Sequence, residues 1–244
     1  MNFSYVKLLM RKFVQYVILF VCIAVVGAIF ERVLGPREMV QYFSVEDIAK
    51  LRIANDNTQL VVVSVDAAQQ GILSFYELQN EQWVHVLSTK AYIGRNGLYR
   101  EREGDAKTPC GVFYFTKAFG IEPDPGCQLN YIQVYDRHYW NSDSKSTNYN
   151  RIEIVERQQT PQFSVKDSEH LIDYKPMYDY CLNISYNEEG TPYKGSAIFL
   201  HCMGIKPYTG GCVAIKKEVM RKILQRVNKN CKIIIDTQEK IARY

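Results

Sequence analysis

The sequence holds no C-x-x-C pair and only four histidines, and its seven cysteines are dispersed along 244 residues. Zinc modules need cysteine and histidine ligands in close pairs, so neither a metal nor another cofactor is expected. Charge of one sign is also scarce. The net charge is +4, and the basic residues form no stripe interleaved with aromatics, which argues against nucleic acid as a partner. Internal repeats and low-complexity runs are missing, so the chain is not a repeat array. Acidic residues are absent before Glu31. What is abundant is apolar and aromatic: 47% of residues are hydrophobic and 18 are tyrosines, enough to bury the core of one domain of ordinary size with an appendage.

The appendage is N-terminal. Lys7, Arg11 and Lys12 precede an uncharged segment from Phe13 to Phe30. Roughly eighteen apolar residues rising ~1.5 Å each are just long enough for a bilayer core. Basic residues ahead of it predict residues 1–12 in the cytoplasm, 13–30 as a transmembrane anchor, and the remainder outside the membrane. A cleaved signal peptide is the alternative, with Val26-Gly27-Ala28 as a tolerable cleavage site. Residues 31–57 read as a spacer that includes a short amphipathic helix from Ser44, its N-cap, to Ile53. Cys22 then falls in the membrane, and the other cysteines read mostly as free thiols in or beside strands.

From residue 58 the pattern becomes that of strands. Gln59–Val65 is a buried run, followed by Ile72–Leu78 and Trp83–Leu87 as a meander, with Cys110–Thr116 beyond it. Residues 98 to about 175, rich in Gly, Pro, Asp and Tyr, otherwise read as long loops, which puts His138 and His170 in loops and His85 on a strand. Tyr178–Asn187, Ala197–His201 and Cys212–Ile215 are further strands. Lys217–Val227 is one late helix with Val219, Ile223, Leu224 and Val227 on a single stripe, and Cys231–Asp236 is the last strand. The expected architecture is mostly β, a sandwich or barrel with long loops and one late helix, over residues 58–244.

One pair of runs carries chemistry. An apolar run ends on His201, and eleven positions later Cys212, preceded by Gly210 and Gly211, opens another. If these runs are adjacent strands, the loop brings a thiol beside an imidazole, the minimum for nucleophilic catalysis by cysteine. Such a pairing predicts a thiol pKa depressed by His201. The two glycines allow a tight turn whose amides could face an oxyanion. Thr209 either helps there or caps the turn. Arg95, Asp105 and Lys107 either bind charged ends of a substrate or hold the loops together. Without its neighbours, Cys212 would read as a core thiol.

Several separated pieces together resemble the L,D-transpeptidase catalytic domain family over residues 58–236. They are His201 followed by Thr209-Gly-Gly-Cys-Val213; Ile93-Gly-Arg-Asn-Gly97; Arg102-Glu-Gly-Asp-Ala-Lys-Thr-Pro-Cys-Gly111, with its Thr-Pro-x-Gly; Ser146-Thr-Asn-Tyr-Asn-Arg151; Tyr178-Asp-Tyr180; and Gly195–His201. The resemblance implies peptidoglycan stem peptides as substrate, Cys212 as nucleophile and His201 as its general base. It further implies attack on the carbonyl of the L-centre of the third stem residue, release of D-alanine, and transfer of the acyl group to an amine. Tyr149, Asn150 and Arg151 would line the donor groove. The chain departs from the usual signature: its His-to-Cys gap is shorter, Gly210 stands where histidine is common, and Ala214 where arginine is common. An L,D-carboxypeptidase using water as acceptor and a wall-binding module that has lost catalysis are the alternatives.

Overall fold

The structure is a computed structural model that describes residues 43–66 and 69–244. The expected cytoplasmic segment 1–12, the apolar segment 13–30 and the spacer up to residue 42 lie outside the described residues. Among the described residues no helix is long and apolar enough to cross a membrane.

Strand β1 (Gln59–Val65) is buried at all seven positions. It lies between β2 (Gly71–Gln79), antiparallel to it, and the last strand, parallel to it. A strand covered on both faces carries a continuous apolar run rather than an alternating one. Val61, Val63 and Val65 point into the main core with Leu73, Phe75, Ile233 and Ile235. Leu60 and Val62 point the other way, into a second cluster with Ile48, Leu51, Ala54 and Ile234. That second cluster is roofed by α1 (Val45–Ala49), the 3-10 turn Arg52–Asp56 and the C-terminus, where the Ile53 N–H donates to the Tyr244 carbonyl at 3.0 Å. Ser44 caps α1 as expected, accepting from the Asp47 N–H at 3.1 Å. From Phe43 onward, then, the segment read as a spacer packs on the sheet, because its apolar face has a sheet face to cover.

The remaining strands are β3 (Gln82–Ala91), β4 (Gly111–Gly120), β5 (Tyr131–Gln133), β6 (His138–Asn141), β7 (Arg151–Ile154), β8 (Glu169–His170), β9 (Cys181–Ile184), β10 (Phe199–Cys202), β11 (Val213–Ile215) and β12 (Lys232–Thr237). The large sheet runs β11-β10-β9-β4-β12-β1-β2-β3, with β5 attached to β4. It closes on itself: just past β3, Tyr92 exchanges two backbone hydrogen bonds with Ala214 of β11, at 2.8 and 2.9 Å. The result is a mostly-β, barrel-like sheet with, among the described residues, few helices: α1, the late helix α2 (Lys217–Leu224) and a final turn α3 (Gln238–Ile241). Closure leaves neither edge strand free along its whole length. The segment expected as long loops contains β5 to β8, and β7-β6-β8 form a small second sheet. His138 and His170 therefore lie on strands, not in loops.

Candidate active site

Strands β10 and β11 are parallel neighbours, with Leu200 opposite Val213 and His201 opposite Ala214. Cys212 immediately precedes β11, which puts it level with Phe199. Side chains alternate along a strand with period two, so Cys212 and His201 project from the same face of adjacent strands. Both line one cleft of about 1220 Å³ and both are buried, at 7% and 5% exposure.

The Phe199 N–H donates to Cys212 Sγ at 3.3 Å, and the thiol donates to the Ala197 carbonyl at 3.1 Å. His201 Nδ1 lies 2.8 Å from the Cys202 carbonyl. A carbonyl can only accept, so the neutral ring is assigned its proton on Nδ1, leaving the lone pair on Nε2. The wall behind the pair is aromatic. Phe199 packs edge-on against Trp140 (4.7 Å between ring centroids), Phe119 (5.1 Å) and Tyr178 (5.5 Å), and Tyr178 packs edge-on against His201 (5.4 Å). Trp140 arrives on β6, so the middle segment builds this wall.

Dryness sets the charge state. Burial pushes the Cys212 thiol up to about 12, the charge of Glu169 adds to the rise, and the Phe199 N–H and Arg100 oppose it. Burial pulls His201 down to about 4, against the opposing pull of the Cys202 and Met177 carbonyls. The expectation of a depressed thiol pKa is therefore corrected: with the imidazole neutral, His201 offers no positive charge to favour thiolate, and the pull of Arg100 is outweighed by burial. A neutral thiol and a neutral imidazole suit proton transfer during attack rather than a preformed ion pair. Alkylation of Cys212 by iodoacetamide should accordingly be slow near neutrality. Its rate should climb about tenfold per pH unit through 9, because thiolate accumulates only as pH approaches the raised value. A plateau below about 8.5, the ordinary thiol value, would refute this charge state.

The loop before Cys212 is tied internally. Thr209 Oγ1 donates to the Cys212 carbonyl at 2.6 Å and accepts from the Gly211 N–H at 3.1 Å, so Thr209 closes the turn. The Arg95 N–H donates to the Thr209 carbonyl at 3.0 Å, and the exposed Arg95 side chain stands at the cleft. Gly210 also lines the cleft. Gly211 has φ +144°, and a Cβ there would meet Arg100 Nη1 at 2.7 Å and the Lys107 carbonyl at 2.9 Å. No other residue type fits that backbone and that approach.

Arg100, which sequence reasoning missed, is buried beneath this turn with its side chain 2% exposed. Nη2 donates to Glu103 at 2.9 Å, and Nη1 to Asp105 at 3.3 Å and to the Lys107 carbonyl at 3.4 Å. Its guanidinium also fills the space where Gly195 lacks a side chain. The two glycines were the only sequence signal for it. Burial alone would raise the Asp105 pKa, but N–H donors from Glu101, Lys107 and Arg102, together with Arg100, hold it below its ordinary value. Asp105 thus holds the loop, and Lys107 pairs with Glu101 at 3.2 Å.

Tyr149, Asn150 and Arg151, expected in a substrate groove, do not line the cleft. Tyr149 is buried, and its hydroxyl donates to Glu103 at 2.5 Å. Asn150, at φ +61°, accepts from Trp140 Nε1 at 2.9 Å and from the Ala197 N–H at 3.1 Å, and donates to the carbonyls of Tyr186 and Asn187. A side chain with four internal partners is a structural tie, here one that holds the carbonyl facing the Cys212 thiol. Arg151 is exposed on β7.

Among the described residues there is no cluster of His, Cys, Asp or Glu suited to a metal. The six described cysteines are free, and Cys22 lies outside the described residues.

Comparison with curated proteins finds no match. Among solved structures, the chain is similar to the helical cell shape determining protein Pgp2 from Campylobacter jejuni: 15% identity, TM-score 0.40, covering 76% of this chain and 50% of that one. It is similar to Bd1075 from Bdellovibrio bacteriovorus, at 16% identity and TM-score 0.38 over 75% and 52% of the two chains. It is also similar to an Enterococcus faecium L,D-transpeptidase, at 12% identity and TM-score 0.36 over 74% and 50%. The chain thus spans about half the length of these proteins. Residues 60–235 match the family model described as YkuD, L,D-transpeptidase catalytic domain. That match covers most of the chain, from within β1 to within β12, and by it the chain belongs to the L,D-transpeptidase catalytic domain family.

Proposed function

We propose that this chain is a peptidoglycan L,D-transpeptidase with Cys212 as nucleophile and His201 as its base. The observation that carries the proposal is the placement of both side chains on one face of adjacent parallel strands, at the floor of one cleft. In the proposed reaction the thiol proton passes to His201 Nε2 as sulfur attacks the carbonyl of the L-centre of the third stem residue. His201 returns that proton to the departing amine of D-alanine, leaving a thioester on Cys212. An acceptor amine then displaces the sulfur and forms the cross-link. The dry aromatic wall favours this course, because it limits water at the thioester. The test is mass spectrometry of products after incubating the full chain with stem tetrapeptide. A dimer linked through two third residues, with free D-alanine, is expected. A shortened monomer alone would make the chain an L,D-carboxypeptidase instead.

The proposed setting is the outer face of a cell membrane, with the apolar segment 13–30 as anchor and Lys7, Arg11 and Lys12 inside. External protease should digest the domain in intact wall-stripped cells. Protection until lysis would reverse that topology.

A further inference from the structure

Four acidic residues line the cleft, Glu103, Asp143, Asp167 and Glu169, and the reaction as written uses none of them. Glu169 stands apart from the other three. It lies on the two-residue strand β8, half-buried, and lines the same cleft as Cys212 and His201. Its Oε2 accepts from the Tyr178 hydroxyl at 2.7 Å, and the edge of the same Tyr178 ring rests on His201. The second carboxyl oxygen has no hydrogen-bond partner among the described residues. It is also not a buried orphan, and the residue that carries it lines the cleft. The contrast with Glu103 is informative. Glu103, also in the cleft wall, is saturated by Arg100, Tyr149 and Ser196. Glu169 forms no ion pair among the described residues. Its charge acts on Tyr174, Tyr178, Cys181 and Cys212, while the lysines of the cleft wall, Lys145, Lys166, Lys175 and Lys206, make no ion pair with it. An acid so placed lacks a positive partner, and burial raises its pKa to about 7.

We propose, building on the transpeptidase reading above, that Glu169 receives the acceptor amine: it binds the incoming ammonium and takes a proton from it. An ammonium cannot attack a thioester, so an aminolysing enzyme needs a base for it at neutral pH. His201 is neutral again once it has delivered its proton to D-alanine, but its low basicity in the dry site makes it a poor receiver from an ammonium. Glu169 has a proton affinity matched to working pH, where a general base is most effective. The balance is complete. The ammonium gives one proton to the Glu169 carboxylate, and its nitrogen lone pair attacks the thioester carbon. As the carbon–sulfur bond breaks, the second proton passes through His201 to the sulfur, and Glu169 returns its proton to solvent. An amide and a free thiol result, with no oxidant or cofactor required.

Water needs no ammonium site, so the readout is the partition between acceptors. The full chain and its Glu169→Gln variant are incubated with stem tetrapeptide serving as both donor and acceptor. D-alanine release, cross-linked dimer and shortened monomer are measured together. Glutamine keeps an oxygen for Tyr178 but neither charge nor basicity, so the dimer-to-monomer ratio should fall at least tenfold. Glu169→Asp, which keeps the carboxylate, should recover part of it, and it carries the test if the glutamine variant fails to fold. A ratio within about twofold of the parent's overturns the proposal. So does a fall in D-alanine release with the ratio preserved, which would put Glu169 on the donor. A parent that releases D-alanine and makes monomer only removes the acceptor step, and this inference with it, while leaving Cys212 acylation standing. A parent that releases no D-alanine overturns the transpeptidase reading itself.

Discussion

Turnover of stem peptide by a Cys212→Ala variant should fall at least about a thousandfold, because the variant lacks the thiol that forms the covalent intermediate. The fold should survive. The sulfur accepts from one N–H and donates to one carbonyl, so its loss costs on the order of 1–3 kcal/mol in unsatisfied polar groups. Cys212→Ser keeps both hydrogen-bonding roles and should melt closer to the parent, yet it should be just as inactive, since its hydroxyl faces the same weak base. Comparing the two variants separates chemistry from folding. Residual activity above about a hundredth of the parent's in either variant would remove Cys212 from the nucleophile's role.

Arg100→Met should be the most destabilising single change near the site, by roughly 3–5 kcal/mol in urea unfolding. The methionine fills part of the volume but strands Asp105, whose side chain is 8% exposed, and Glu103 without their cation. Most of the loss falls on Asp105, because Glu103 is 35% exposed and water screens it. Arg100→Lys should recover only part, since one ammonium cannot span two carboxylates and the Lys107 carbonyl as the guanidinium fork does. A loss under about 1 kcal/mol for Arg100→Met would mean the carboxylates are solvated after all.

The strands around the barrel were legible because burial leaves a mark in composition. Gln59–Val65 was readable to the residue, since a strand covered on both faces carries a nearly continuous apolar run, here broken only by Gln59 at its start and Ser64. The late helix was readable from its stripe, although it ends at Leu224, and Val227 is buried from the turn that follows. Strands β5 to β8 were illegible: a two-residue strand such as Glu169–His170 cannot display an alternation. The same limit hid half the site. His201 lies on β10 and Cys212 at the entry to the neighbouring β11, with one loop between them, so their meeting follows from local order. Glu169 and Arg100 reach the cleft from distant segments through pairings no local pattern encodes. Tyr149 and Asn150 looked like groove residues because the segment Ser146–Arg151 resembles one of the family's, and a resemblance in sequence does not tell which way a side chain points. The left-handed backbone at Asn150 turns that side chain inward, where it has four partners. The thiol pKa was misjudged for a related reason: spacing tells which residues are neighbours but not how dry their surroundings are.

Closure of the barrel through Tyr92 and Ala214 sets the site on a seam. Ala214 stands opposite His201 and two positions past Cys212, so a local opening that separates Tyr92 from Ala214 also loosens the strand carrying the nucleophile. Any acyl group held on Cys212 that needs the closed geometry must then stabilise closure by the same free energy with which closure favours the acyl group. Hydrogen exchange is the natural reporter of that coupling. The amides of Tyr92 and Ala214, on opposite sides of the seam, would exchange in concert in the free protein and slow together when Cys212 is acylated.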